Sequence, residues 1–343
     1  MSVFIIAEAG VNHDGSLQKA LDLIDVAADA GADAVKFQTF RTDEVISRGT
    51  AKAAYQERQT GEGDQYEMVR ALELDEAAHL ELARHCQKRG IEFMSTPFEP
   101  WATTLLVSLG LRRIKVASGE LTNKPLLRDI AARNLPILLS TGMATLDEVR
   151  RAVGWIEDVW RSASGCRLAN DLTVLHCTTD YPASPEDLNL NAMETMRRAL
   201  GTKIGYSDHS LGLEMSVAAV ALGASVIEKH FTLNPLDPGP DHAASLAPEQ
   251  FAALVKAIRS VELALGDGVK KPRPVELPTR ELVRRSAFAR KTLPAGHCIS
   301  AEDVMFRRPS GGIGPEDVDN LVGRHLLRSL EAGAKILARD LAE

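Results

Sequence analysis

Cysteine is scarce: Cys86, Cys166, Cys177 and Cys298 are the four in the chain, and they stand far apart with no CxxC pair among them. That spacing fits reduced thiols and supports neither a disulfide framework nor a zinc knuckle. Long apolar runs are missing too. The longest, near Val217 to Ile227, is bounded by Glu214 and Glu228 and is too short to span a bilayer. The opening Met1-Ser-Val-Phe-Ile-Ile-Ala lacks the basic stretch, long apolar core and small-residue cleavage site of a signal peptide, so a cytoplasmic chain is expected. There is no excess of positive charge either. Lys and Arg number 40 against 47 Asp and Glu, a net charge of -7, which argues against a general binder of nucleic acid or anionic membrane. Any anionic ligand must therefore be held by a local basic site. No GxxxxGK[ST] phosphate loop, HExxH or GxSxG elbow occurs, so P-loop, zincin and α/β-hydrolase chemistry are not signalled. Gly311-Gly-Ile-Gly has no βαβ unit around it and reads as a turn.

What is present is an ordinary globular composition, 45% hydrophobic and 25% charged, which excludes a disordered, collagen-like or coiled-coil chain. The 343 residues leave room for about two domains, or for one large α/β barrel and a remainder. A strand, loop and helix unit opens the chain. Phe4–Ala7 is a short apolar run, and from Ser16 onward Leu17, Ala20, Leu21, Ile24 and Ala28 recur at helical spacing, with Ser16 as N-cap and Gly31 as stop. The unit repeats, with strands expected at 34–37, 92–95, 113–117, 137–140, 172–176, 203–206 and 226–230. Helices are expected between them, such as 76–89 and 146–159, the latter opened by a Thr145/Glu148 capping box. About eight strands alternating with helices is the number that closes a parallel (β/α)8 barrel. The connection from Thr42 to Asp75 is unusually long and is a candidate substrate cover. A Pro- and Gly-punctuated stretch follows Gly266, which divides the chain into a barrel at 1–266, a linker at 267–285 and a small β-rich module at 286–343.

In such a barrel the chemistry gathers where strands end. Here those positions carry Glu8, Asn12 and His13; Lys36 and Gln38; Ser95 and Thr96; Lys115, Ser118 and Glu120; Ser140 and Thr141; His176 and Thr178; Ser207, Asp208 and His209; and Glu228 and His230. Lys36 and Lys115 lie in otherwise apolar strands, where an unpaired ammonium would be costly. Each either pairs with an internal carboxylate such as Glu8 or Glu228 or, with the Ser and Thr hydroxyls, makes a phosphate site. His209 and His230 follow adjacent strands, a common placement for a divalent-metal pair.

Taken together, IAEAGVNHDG from Ile6, VKFQTF from Val35, STPFE from Ser95, IKVASGELTN from Ile114, LSTGM from Leu139, LHCTTDYP from Leu175, GYSDHS from Gly205, IEKHFTL from Ile227 and GPDH from Gly239 resemble the sialic acid synthase family. The region from Arg284 to the RRPSGGI segment at Arg307 is similar to that family's antifreeze-like (SAF, β-clip) domain. The resemblance implies condensation of phosphoenolpyruvate with an N-acetylated mannose-type sugar, with N-acetylmannosamine giving N-acetylneuraminate as the first reading. A 2,4-diacetamido-2,4,6-trideoxymannose acceptor giving legionaminic acid is the alternative. It implies a divalent ion on His209 and His230, manganese first, then magnesium or cobalt. It implies phosphoenolpyruvate contacts at Lys36, Thr96, Lys115, Ser118, Ser140, Thr179 and Ser207, and sugar contacts at Glu8, Gln38, Glu120, Tyr181 and Asp241. Arg308 would reach the sugar's N-acyl group across a domain-swapped homodimer. Glu8 and Glu120 are the candidate carboxylates for steering water, beside Lys36 and Lys115 as the clamp. Two positions depart from the family pattern. Thr179 replaces Asn in the HxTN segment and bears on a phosphate contact; Gln59 replaces Asn in the long loop and bears on its sugar-side contacts. More remote readings are a deoxy-sugar-acid phosphate synthase or a non-catalytic carbohydrate-binding protein.

Overall fold

Eight parallel strands form where apolar runs lie between turns: β1 (Phe4–Gly10), β2 (Ala34–Thr39), β3 (Glu92–Pro97), β4 (Ile114–Val116), β5 (Ile137–Ser140), β6 (Leu172–His176), β7 (Lys203–Asp208) and β8 (Val226–His230). They belong to a computed structural model that describes residues 2–162 and 171–342; Cys166 falls outside the described residues. Four strands, β1, β2, β3 and β7, run two or three residues further than their apolar runs. The extensions carry Glu8, Gln38, Thr96 and Ser207, whose polar side chains break the apolar pattern while the backbone ladder continues.

The sheet order is β3-β2-β1-β8-β7-β6-β5-β4. The last seam, between β3 and β4, is adjacent but carries no ladder. The TIM-type barrel is thus hydrogen-bonded everywhere except beside its shortest strand.

Helices α1 (Leu17–Asp29), α5 (Glu76–Arg89), α6 (Pro100–Ser108), α7 (Lys124–Ala132), α8 (Leu146–Ser162), α9 (Ala192–Leu200), α10 (Glu214–Ala221) and α11 (Pro248–Leu265) join the strands. Ser16 caps α1 by accepting from the Lys19 N–H, and Thr145 and Glu148 exchange the two bonds of the capping box at α8. The long connection after β2 is not a bare loop. It holds three short helices, α2 (Thr42–Val45), α3 (Ala54–Thr60) and α4 (Gln65–Arg70).

Strand side chains alternate between two cores. One set, with Ile5, Phe37, Leu139 and Ile227, packs outward against the helices. The other, Ile6, Ala34, Met94, Leu138, Leu175 and Val226, forms a separate apolar layer inside the barrel. Period two then places Glu8, Lys36, Thr96, Ser140, Cys177 and Glu228 one layer higher. The polar site stands on that sealed apolar floor.

The chain divides after Gly266, and Asp267–Glu343 forms a second compact unit. It begins with helix α12 (Leu277–Val283) and contains an antiparallel pair, β9 (Ser286–Ala289) and β10 (Val304–Arg307). Two successive passes of its chain mirror one another. Leu293 and Leu330 exchange N–H···O bonds of 2.8 Å, and Gly296 donating to the Leu326 carbonyl is matched by Gly333 donating to Ala289. Asp303 and Asp340, both buried, accept from the backbone N–H of Ser300 and Leu337 at 2.9 and 3.0 Å. Repeated Gly-punctuated apolar passes in the sequence thus fold as two like halves around one small core.

Candidate active site

The strand register sets the neighbours. Glu8 pairs with Lys36 across β1/β2 and with His230 across β1/β8, Gln38 pairs with Thr96, and Ser207 pairs with Glu228. A cavity of about 410 Å³ opens at this end of the barrel. Its wall includes Glu8, Lys36, Gln38, Thr96, Lys115, Ser118, Ser140, Thr179, Tyr181, Ser207, His209, His230 and Asp241, which brings together thirteen of the fifteen residues expected from the sequence. Glu120 is not part of that wall. It sits half-buried in the 3-10 turn Ser118–Glu120 and accepts from Asn123 Nδ2 at 2.7 Å. Arg308 belongs to the second unit, just beyond β10.

At the bottom of the cavity charges alternate. Lys36 Nζ lies 2.8 Å from Glu8 Oε1 and 3.7 Å from Glu228 Oε2, and it donates to Thr96 Oγ1 at 3.0 Å. Lys115 Nζ lies 3.2 Å from Glu228 Oε1, which also accepts from the Ser207 hydroxyl at 2.8 Å. The pairing with an internal carboxylate therefore holds for both lysines, and both also line the cavity. Glu228, read from the sequence as a strand-end carboxylate and a partner for the lysines but not as a site residue, lines the cavity between both ammonium groups. Its signal was its place two residues before His230 in an apolar strand.

These pairings split the two carboxylates. Burial pushes the Glu8 carboxyl up to about 7 against the pull of Lys36, and Glu228 adds to the rise. Burial would raise Glu228 as well, but Lys115, Lys36 and the Ser207 hydroxyl outweigh it and hold it at about 2. Burial works against the Lys36 ammonium, yet Glu228 and Glu8 keep its pKa above the ordinary value. Lys115 is lowered by burial in spite of Glu228.

Hydroxyls complete an anion cradle. Ser140 Oγ and Thr179 Oγ1 are buried with no partner in the protein. Ser118 Oγ accepts from the Gly142 N–H at 3.0 Å. Only glycine suits position 142, because a Cβ there would stand 2.1 Å from Thr179 Oγ1 and 2.9 Å from Ser118 Oγ. Two ammonium groups and unpartnered hydroxyls converging over an apolar floor suit a phosphate or carboxylate.

The imidazoles lie beside this cradle, with ring centroids 5.5 Å apart. His209 Nδ1 lies 2.6 Å from the Thr178 carbonyl, which can only accept; the proton is therefore on Nδ1 and Nε2 keeps its lone pair. His230 Nδ1 is buried without a hydrogen bond. Burial lowers His209 to about 4 and His230 well below its ordinary value, so both rings are neutral at neutral pH. Asp241 approaches His230 at 3.8 Å, its own carboxyl pushed by burial to about 6. Neutral imidazoles with free nitrogens fit a divalent cation. Among the described residues no group of three or more His, Cys, Asp or Glu is arranged to hold a metal, so any cation on these two imidazoles would need its other positions filled by water or substrate.

The long connection after β2 covers this mouth. Tyr55, Gln56, Gln65, Met68, Val69 and Leu72 reach the cavity wall, whereas Gln59, the position singled out in the sequence, does not. Tyr55 stacks on Tyr181 at 5.1 Å and Tyr181 on His209 at 4.2 Å, which ties the cover to the imidazoles.

Barrel and comparisons together define a synthase-type enzyme, with two buried lysines and two imidazoles on one cavity wall. The chain belongs to the NeuB family, whose profile matches residues 23–270, and a SAF domain profile matches residues 284–342. It is 48% identical over 338 residues to the N,N'-diacetyllegionaminic acid synthase of Legionella pneumophila, covering 98% of this chain and 94% of that protein. Identity to the protein of the same name from Campylobacter jejuni is 45% over 321 residues, 93% of this chain and 94% of that one. The crystal structure of an N-acetylneuraminic acid (sialic acid) synthetase from Leptospira borgpetersenii in complex with citrate aligns with a TM-score of 0.71 at 35% identity, over 81% of this chain and 90% of that one. Among the described residues no helix is long and apolar enough to cross a membrane.

Proposed function

We propose that this nonulosonic acid synthase condenses phosphoenolpyruvate with 2,4-diacetamido-2,4,6-trideoxymannose, forming N,N'-diacetyllegionaminic acid and releasing phosphate. The observation that carries the reaction is the convergence of Lys36, Lys115 and the unpartnered Ser140 and Thr179 hydroxyls beside His209 and His230. The acceptor is supported by the two relatives of that name at 48% and 45% identity. It therefore moves ahead of N-acetylmannosamine, which the sequence motifs alone placed first.

Lys36 and Lys115 clamp the phosphate and carboxylate of phosphoenolpyruvate, and the hydroxyls fix its orientation. A divalent cation on His209 Nε2 and His230, manganese for preference, would supply Lewis-acid polarisation of the acceptor's aldehyde oxygen. Carbon 3 of the enol attacks the aldehyde carbon, whose oxygen takes up a proton to become the new hydroxyl, and positive charge develops at carbon 2. Glu8, poised near neutrality, takes the proton of the water that adds at carbon 2. Phosphate then leaves with its bridging oxygen. Glu228, ionised throughout, keeps both lysines in place. Product mass spectrometry tests the reading: phosphoenolpyruvate, manganese and the diacetamido sugar are expected to yield the diacetylated nonulosonic acid faster than N-acetylmannosamine yields N-acetylneuraminate. A faster reaction with N-acetylmannosamine would return the acceptor to the first reading. Exhaustive chelation should stop turnover, and full activity after it would remove the metal.

A further inference from the structure

Above the charged layer the cavity changes character. Val11, Phe40, Met68, Val69, Leu72 and Phe98 line one stretch of its wall. All but Met68 pack as one apolar cluster, with Phe40 and Phe98 edge to face at 6.0 Å. The sole heteroatom of the six side chains, Met68 Sδ, is a weak thioether acceptor; it lies 3.5 Å from the Thr60 hydroxyl, whose proton goes to the Gln56 carbonyl at 2.8 Å. The amides of the cover form a separate pair. Gln56 and Gln65 line the cavity with their amides joined, Gln65 Nε2 donating to Gln56 Oε1 at 3.2 Å.

The apolar floor of the barrel fixes which end of an acceptor meets the shelf. The aldehyde carbon must reach the anion held by Lys36 and Lys115, and below them Ile6, Met94, Leu138 and Val226 close the interior. An open-chain sugar therefore enters aldehyde first, and its far end lies under the cover. The cover is held at that height by the Tyr55, Tyr181 and His209 stack.

We infer that this shelf selects the acceptor at carbon 6, taking a methyl group and rejecting a hydroxyl, while the Gln56 and Gln65 amides face an acylamino group at carbon 4. The inference rests on the acceptor reading above. A 6-hydroxyl against six side chains whose one heteroatom is a weak thioether acceptor loses its water and gains no comparable partner, whereas a methyl buries apolar surface. Such discrimination is worth roughly 10- to 100-fold in kcat/KM.

The test compares N-acetylmannosamine with its 6-deoxy analogue, two sugars that differ only at carbon 6, in a phosphate-release assay on the full chain. The 6-deoxy sugar is expected to be preferred, and Val69→Thr and Met68→Gln, which place polar atoms on the shelf, should each narrow the ratio several-fold through the KM of the 6-hydroxy sugar. The KM for phosphoenolpyruvate should stay unchanged, which a general loss of structure would not allow. Equal kcat/KM for the two sugars, or a ratio untouched by both variants, overturns the shelf while leaving the condensation standing. Phosphate release with neither sugar nor with the diacetamido acceptor overturns the functional reading and the shelf together.

Discussion

Glu8 and Glu228 meet the same ammonium but differ in their second partners. Glu228 also has Lys115 and the Ser207 hydroxyl on its Oε1, whereas Glu8 has no second cation or hydroxyl; the Oε2 of each is buried without a hydrogen bond. One carboxylate is held ionised and the other is left near neutrality, the arrangement in which a pair of acids takes separate roles. A raised carboxyl contributes stability that is complete below its unfolded value, 4.5, and is lost as pH rises through about 7. Glu8→Gln removes that loss. Its unfolding free energy relative to the parent should therefore grow between pH 5 and pH 8, by up to about 3 kcal/mol, while turnover falls roughly 100-fold or more. Denaturant titrations at the two pH values check this; a difference independent of pH would show that Glu8 does not titrate there. Lys36 and Lys115 were legible in the sequence because a charge inside an apolar strand needs a reason. That Glu8 and not Glu120 lines the cavity was not legible, since both follow strands in the sequence; the turn after β4 gives Glu120 to Asn123 instead.

At the scale of elements, the interior layers of the barrel fix how close β6, β7 and β8 come. Gly205 in β7 is where they crowd: a Cβ there would lie 2.5 Å from Leu175 Cδ2 and 2.7 Å from the Val226 carbonyl oxygen. Leu175 can shift, but the backbone of β8 cannot. Gly205→Ala should lower unfolding free energy by about 1–3 kcal/mol and weaken the site above it, because Ser207 and Glu228 ride on the same two strands. A thermal melt matching the parent would contradict the close packing. The alternation of strands and helices was readable because each unit repeats the same punctuation, down to the Ser16 and Thr145 caps. The bare seam between β3 and β4 was not, as pairing depends on strands distant in sequence. The three short helices of the cover escaped for a similar reason: α2, α3 and α4 are four to seven residues each, too short for periodicity to separate from a polar loop.

For the whole molecule, the acidic balance does not count against the proposed anionic substrate, because Lys36 and Lys115 stand buried at the bottom of the cavity, each paired with a carboxylate, in a confined and weakly hydrated space. The second unit supplies Arg308, which the family resemblance directs at the acceptor of a partner subunit. If that exchange occurs, mixing Arg308→Ala chains with Lys115→Ala chains should restore part of the activity absent from either alone, since one composite site regains both groups. No recovery in verified mixed dimers would count against it. The central claim is that enolpyruvate is joined to the sugar with cleavage of its carbon–oxygen bond. Phosphoenolpyruvate carrying ¹⁸O at the bridging position tests it most directly. With the diacetamido sugar and manganese, the label is expected in the released phosphate, with none in the nine-carbon acid; label retained in the acid would contradict the mechanism.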